Sequence, residues 1–266
     1  MVNLRQRLEG DSIMRFSGKG VIITGAGSGI GREAALEFAA EGAEVACCDI
    51  DSGAAQRTAE SINESGGRGH PFTLDTTDPV AVSAFFDEAK DLLGRLDVLV
   101  NSAGVREIEP LVDLSYEEWR RVIDVNITGV FLCSQAFVRK LVKEGKPGAI
   151  VNLSSALGFT AAPNRPAYTA SKHAVVGLTK EMGLELGETG IRVNAVAPGV
   201  TRTPLTEQYF QDAEMANTVR SIHAMNRWGE AREITPMILF LASDDASFMT
   251  GVTVPVDGGW LAGKKM

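Results

Sequence analysis

The chain has 266 residues, 44% of them hydrophobic and 23% charged, with a net charge of −8. That length suits one large α/β domain whose core needs no disulfide or metal staple, and the acidic balance argues against a nucleic-acid partner. Cys47, Cys48 and Cys133 form no CxxC pair, the three histidines are scattered, and no run of about 18 apolar residues occurs, so no disulfide framework, no metal site and no membrane span are expected.

Residues 1–15 contain Arg5, Arg7 and Arg15 without an apolar core. They read as an N-terminal extension of a cytoplasmic protein, not as a signal peptide. Residues 20–24 are apolar and β-branched and read as a buried strand. Gly25-Ala26-Gly27-Ser28-Gly29-Ile30-Gly31 follows, then a helix over 32–41. Strand, glycine turn and helix place backbone N–H groups and a helix N-terminus against a phosphate. The spacing is Gly-x-x-x-Gly-x-Gly, and no Gly-Lys-Ser/Thr follows, so it is not a P-loop.

A second strand over 43–48 ends at Asp49, about twenty residues beyond the glycine turn, where a carboxylate accepts hydrogen bonds from an adenosine ribose and repels a 2′-phosphate. Ser28 is neutral and Ile50 apolar, and Arg32 belongs to the helix. NAD is therefore expected over NADP. A helix over 52–64 has Ser52 as a possible cap. A third strand spans 70–74. Asp78 and Pro79 open a helix that runs to Leu93. A fourth strand over 96–100 leads into Asn101-Ser102-Ala103-Gly104. Asn101 fits a turn former as well as a ligand-edge residue.

A long helical stretch covers 115–142, with Ser115 and Glu118 spaced as a capping box. Asn126 is a poor helix former in its middle, which points to a functional or packing reason or a satisfied core amide. The fifth strand, 149–153, ends at Ser154-Ser155. No Gly-x-Ser-x-Gly elbow surrounds Ser154, so it is not a hydrolase nucleophile; a hydroxyl donating to a developing alkoxide suits it better, with Ser155 a structural neighbour. A loop precedes the helix over 166–188. On it Tyr168 and Lys172 lie four apart, on one face. A free phenol titrates at roughly 10, and a nearby cation pulls that down, so the pair is a plausible proton-transfer device. The sixth strand, 191–196, leads into Pro198-Gly199. Residues 203–226 form a polar, partly helical insertion suited to a lid. A helix over 232–242 and a strand over 251–256 close the chain.

Strands and helices alternate throughout, so the fold class is α/β: a Rossmann-type, doubly wound, parallel seven-stranded sheet with helices on both faces. Residues 16–266 are read as one domain, with ligand chemistry along the carboxyl edge of the sheet.

Together these motifs resemble the classical short-chain dehydrogenase/reductase family. The resemblance rests on Thr24 through Gly31, Asp75, Asn101 through Gly104, Asn126, Ser154, Tyr168-x-x-x-Lys172 and Pro198-Gly199. Ser102 departs from the family's usual Asn. The resemblance implies that Tyr168 is the general acid/base and that Lys172 lowers its pKa and holds the nicotinamide ribose. Ser154 would polarise the substrate oxygen, and Asn126 would support a water in the proton relay. The cofactor would touch Gly25, Ser28, Gly29, Ile30 and Gly31 at the first turn, and Asp49 and Ile50 after the second strand. Asp75 would meet the adenine, with Thr76 beside it. Asn101, Ala103 and Gly104 would follow the fourth strand. Pro198, Gly199, Val200 and Thr203 would follow the sixth.

The substrate pocket would draw on Arg106, Leu157, Phe159, Asn164, Tyr209 and His223, for a secondary alcohol or ketone, possibly polyol-like. Arg106 fits an acidic or polyhydroxylated substrate and equally a solvated surface position. A homotetramer is the family's frequent assembly. Competing readings are an NADPH-dependent 3-oxoacyl-thioester reductase, and a dinucleotide-binding scaffold or sensor without catalysis.

Overall fold

The computed structural model describes residues 14–263; the expected N-terminal extension lies, up to residue 13, outside them. The chain alternates β1 (Gly20–Thr24), α1 (Gly29–Ala40), β2 (Glu44–Asp49), α2 (Ser52–Glu64), β3 (Arg68–Thr73), α3 (Pro79–Leu93) and β4 (Val98–Asn101). Then come α4 (Tyr116–Ile123), α5 (Gly129–Glu144), β5 (Gly148–Leu153), α6 (Pro166–Glu185) and β6 (Ile191–Pro198). Two-residue strands β7 (Thr201–Arg202) and β8 (Gly229–Glu230) bracket α7 (Ala213–Ser221), and α8 (Ala231–Ala242) and β9 (Thr253–Val256) finish the fold.

Seven strands make one parallel sheet in the order β3-β2-β1-β4-β5-β6-β9. All five residues of β1 and all four of β4 are buried, because helices cover both faces of the sheet. On one face α1, α2 and α8 pack Phe38, Ile62, Ile234 and Ile238 over Val21, Ile23 and Val100. On the other, α3, α5 and α6 pack Phe86, Phe137 and Met182 over Ile22, Leu99 and Ile150. The doubly wound, seven-stranded parallel fold expected from the sequence is thus the one observed. After β3 the chain crosses to the other side of β1, so a crevice opens between the carboxyl ends of β1 and β4, where such sheets bind ligands.

Several boundaries differ from expectation. Asp51, not Ser52, caps α2, accepting from the Ala54 N–H. The stretch expected as one helix over 115–142 is broken by a π-helical turn, Asp124–Thr128, which contains Asn126. Ser115 does accept from the Glu118 N–H at 3.1 Å, but the Glu118 carboxylate goes to Arg121 instead of closing the box. The whole Tyr116–Glu144 stretch is long and apolar enough to span a membrane by composition. It is a core helix here, with Val122, Val130, Cys133, Phe137 and Leu141 buried. The polar insertion leaves at β7 and returns at β8, and these two strands pair in parallel.

Candidate active site

A cleft of about 480 Å³ runs along the carboxyl ends of the central strands. At the end of β1 the chain must turn tightly. Gly25 has φ +66°, and a Cβ there would lie 2.8 Å from the Ala103 backbone. A Cβ on Gly31 would lie 2.2 Å from the Gly25 carbonyl oxygen. Only glycine permits this approach. No side chain caps the N-terminus of α1, so its first N–H groups face the cleft beside Ser28, Gly29 and Ile30, as a pyrophosphate requires.

At the end of β2 the Asp49 carboxylate accepts from the Gly27 N–H at 2.8 Å and the Asp51 N–H at 3.0 Å. Ile50 beside it is 70% exposed and lines the cleft. Arg32 reaches Ser61 on α2 at 3.3 Å, away from Asp49. Asp75 and Thr76 line the same cleft after β3, Asp75 accepting from both the backbone and hydroxyl of Thr77. Ala103, Gly104, Pro198, Gly199 and Thr203 complete it. A carboxylate at the end of β2, an apolar shelf next to it and an open helix N-terminus fit a dinucleotide's ribose, adenine and pyrophosphate respectively.

Two cofactor residues expected from the sequence lie elsewhere. Asn101 turns its amide inward, donating to Ser134 at 3.0 Å and Asn152 at 2.9 Å, because the strand end points that side chain into the packed α5 face. The Val200 N–H donates to His223, and Val200 lines a neighbouring cavity instead.

At the far end of the cleft, α6 presents Tyr168 and Lys172. The Lys172 ammonium donates to the Leu153 carbonyl at 2.7 Å, 5.5 Å from the Tyr168 ring centroid. Burial pushes its pKa down to about 8. Burial pushes Tyr168 up from the usual phenol value, while a hydrogen bond from Ser155 and the charges of Arg106 and Arg165 pull the other way. The serine that meets the phenol is therefore Ser155, not Ser154. The Ser154 hydroxyl donates to the Lys172 carbonyl at 3.0 Å, packed where a Cβ on Gly158 would lie 2.6 Å from it. Ser155 is extended, with φ −164° and ψ 162°, and successive side chains of an extended chain point to opposite sides. Only one of the two serines can face Tyr168.

Asn126 is completely buried. Its amide nitrogen donates to the Val105 carbonyl and the Ser171 hydroxyl, both at 2.9 Å, and its oxygen accepts from the Val105 N–H. The side chain thus staples the loop after β4 to α6. Ser171 in turn donates to the Tyr168 carbonyl at 2.7 Å.

The segment after β4 holds α6 a second time, through a residue the sequence reading missed. Glu107, 4% exposed, accepts from the Ala167 N–H at 2.8 Å and from the Tyr168 N–H at 3.1 Å. No residue of α6's own N-terminus caps it, so a carboxylate about sixty positions earlier does so, where the helix dipole favours negative charge. Spacing along the chain carries no signal for such a pairing.

Of the expected substrate residues, Leu157 is buried in a short turn, and Asn164 is an exposed turn residue with φ 62°. Phe159 is exposed near the loop. His223 is buried with both ring nitrogens engaged, by Val219 and Val200, and burial lowers its pKa. Arg106 and Tyr209 do meet: the Arg106 guanidinium donates to the Tyr209 hydroxyl and lies 4.2 Å from its ring centroid. Arg165, which the sequence reading passed over, donates to the same hydroxyl.

Known proteins share this architecture from end to end. The family model described as enoyl-(acyl carrier protein) reductase matches residues 25–261. The 3-oxoacyl-[acyl-carrier-protein] reductase FabG of Thermotoga maritima is 40% identical, covering 92% of this chain and 99% of its own. Meso-2,3-butanediol dehydrogenase of Serratia marcescens is also 40% identical, over 92% and 96%. A gluconate 5-dehydrogenase from Burkholderia cenocepacia J2315, solved with NADP and tartrate, superposes with a TM-score of 0.90 at 32% identity, over 94% of this chain and 98% of its own.

The chain belongs to the classical short-chain dehydrogenase/reductase family.

In this dehydrogenase the cleft holds the glycine turn at one end and the Tyr168, Lys172 and Ser155 group at the other. Val105, Arg121 and Val125 also line it, positions that no sequence motif marked. The segment 203–206 also lines the cleft, and a Cβ on Gly29 would sit 3.2 Å from the Thr203 side chain.

Proposed function

We propose that this chain is an NAD-dependent dehydrogenase that moves a hydride between the nicotinamide and a secondary alcohol or ketone, of small polyol or sugar-like type. The observation that carries the reaction class is the meeting of Tyr168, Ser155 and Lys172 in the same cleft as the glycine turn. When bound, the nicotinamide supplies the hydride chemistry. In the reducing direction, Tyr168 gives its hydroxyl proton to the carbonyl oxygen as that oxygen gains electrons. Burial, which raises the phenol's pKa, favours the protonated form for this. In the oxidising direction, the phenolate takes the substrate's hydroxyl proton. The Ser155 hydrogen bond and the two arginine charges favour that phenolate. Ser155 replaces Ser154 in the role of oxygen-polarising donor, and Ser154 orients Lys172 through its carbonyl. Asn126 acts by position, holding Val105 and Ser171.

The case for NAD rests on the Asp49 carboxylate, which already faces the glycine turn at 2.8 Å. A 2′-phosphate would meet this charge, and the Arg32 guanidinium is directed to Ser61 on α2. The Burkholderia relative was solved with NADP, and FabG is a thioester reductase by name. The competing reading is accordingly an NADPH-dependent 3-oxoacyl-thioester reductase. A fluorescence titration of the protein with NADH and NADPH decides between them. NADH binding at least about tenfold tighter, one factor of ten being about 1.4 kcal/mol, supports the NAD reading. Tighter NADPH refutes it.

We take residues 16–266 as one domain with a lid at about 203–226, and the assembly as a cytoplasmic homotetramer. Apolar side chains left open on α5 and beside β9, such as Phe131 and Phe248, support that assembly, and light scattering on the purified protein checks it.

A further inference from the structure

Two guanidinium groups converge on Tyr209, close enough to Tyr168 for their charges to act on its phenol, and neither is paired with a carboxylate among the described residues. Arg165 stands at the start of α6, three residues before Tyr168. Arg106 lies between Val105, which lines the cleft, and Glu107, which holds the Tyr168 N–H. Glu107 is committed to the helix, and neither arginine forms an ion pair among the described residues. Their donors go to neutral oxygens instead. Arg106 Nε gives to the Leu205 carbonyl at 2.7 Å, and Arg165 Nη1 to the Pro163 carbonyl at 2.7 Å. Arg106 Nη1, Arg165 Nε and Arg165 Nη2 all give to one atom, the Tyr209 hydroxyl oxygen. Both guanidinium groups thus share one neutral hydroxyl as their side-chain partner. Arg106 is half-buried, and burial lowers its pKa. An unbalanced, partly desolvated cation pair is costly.

A carboxylate answers each of these features. It offers about four acceptor sites in one plane, matches guanidinium forks two bonds at a time, and supplies the missing charge. We propose that Arg106 and Arg165 recognise a carboxylate on the substrate, so that the alcohol this enzyme oxidises is a hydroxy acid. The Tyr209 hydroxyl holds the two forks together until that group arrives. This rests on the dehydrogenase reading and narrows its substrate class.

The test uses the NADH-loaded protein. It is titrated by calorimetry with 3-hydroxybutyrate, threonate and gluconate, each beside its neutral amide, and the same compounds are assayed for NAD reduction. The expected result is that at least one acid binds or turns over about 30-fold better than its amide, the ratio for about 2 kcal/mol from charge-assisted hydrogen bonds. In the double variant R106Q/R165Q that ratio falls to about 3-fold or less, at the same scale. R106K/R165K, which keeps the charge without the fork, gives an intermediate ratio and guards against a folding defect in the first variant. Equal binding of acids and amides, a preference that survives R106Q/R165Q, or binding of no acid at all each overturns the proposal. NADH binding and turnover of neutral secondary alcohols in the same samples judge the dehydrogenase reading separately.

Discussion

Replacing Glu107 with alanine removes a cap from a helix that has no other. The carboxylate is buried and accepts the N–H groups of Ala167 and Tyr168. Ala167 is completely buried, so its N–H has no ready solvent replacement. A buried donor left without a partner costs about 1–3 kcal/mol, and loss of an N-cap costs about 0.5–2 kcal/mol. These overlap, so the expected destabilisation is about 2–4 kcal/mol. At about 2–4 °C per kcal/mol for a chain of this size, Glu107→Ala should melt about 5–15 °C lower in a calorimetric scan. Glu107→Gln keeps one acceptor oxygen and should fall between. Because the cap fixes the first turn of α6, Tyr168 loses its position too, and kcat should drop about 10–100-fold even well below the melting point, the range for a misplacement near 1 Å. A Glu107→Ala protein that melts within about 2 °C of the parent, with unchanged kcat, would refute the capping argument.

Other outcomes follow from the site. Ser155→Ala should lower kcat by about 10²–10³, the effect of removing one oxygen-stabilising donor, whereas Ser154→Ala should keep most of its activity; steady-state kinetics on the two variants decides which serine acts. Asp49→Ser should shift the NADH-to-NADPH affinity ratio toward NADPH by about 10–100-fold, read by cofactor fluorescence. Lys172 has a folded-state pKa depressed to about 8 against an ordinary 10.5. Between these values the unfolded chain binds more protons than the folded one, so stability rises with pH across that window. The penalty, on the order of 3 kcal/mol, is fully present below pH 8. Denaturant melts from pH 7.5 to 10 should show that rise in the parent and a flatter line in Lys172→Met.

The parts of this molecule governed by local rules were legible in the sequence. The glycine turn, Asp49 after β2 and the Asp78-Pro79 start of α3 are set by neighbours a few residues away, and the alternation of elements gave the parallel sheet. What escaped was set by contacts across the fold. Glu107 caps a helix about sixty positions later. Arg165 and Arg106 meet Tyr209 through a segment without periodicity. The choice between Ser154 and Ser155 turns on which way one extended residue faces, and two adjacent serines give no periodic signal for that. His223, expected in the substrate pocket, is held between Val219 and Val200. The π turn at Asn126 interrupts a helix whose apolar pattern reads straight through it.

One feature beneath the site bears on how the chain finds its fold at all. Ser134 on α5, Asn101 on β4, Asn152 on β5 and Thr179 on α6 form a continuous hydrogen-bonded line, each side chain almost wholly buried. In an otherwise apolar interior, the Asn101 amide nitrogen and the Asn152 amide oxygen find each other only when Asn101 stands opposite Asn152, the alignment the two strands adopt. A slip of one residue between β4 and β5 would put the two amides on opposite faces of the sheet. It would strand several polar groups in hydrocarbon, a penalty that hydrophobic packing alone would not impose, since valine and leucine fit almost any alignment. The line thus acts as a check on assembly. It makes the two halves of the sheet meet in one alignment only, the one that brings the ends of β4 and β5 level beneath the reacting groups.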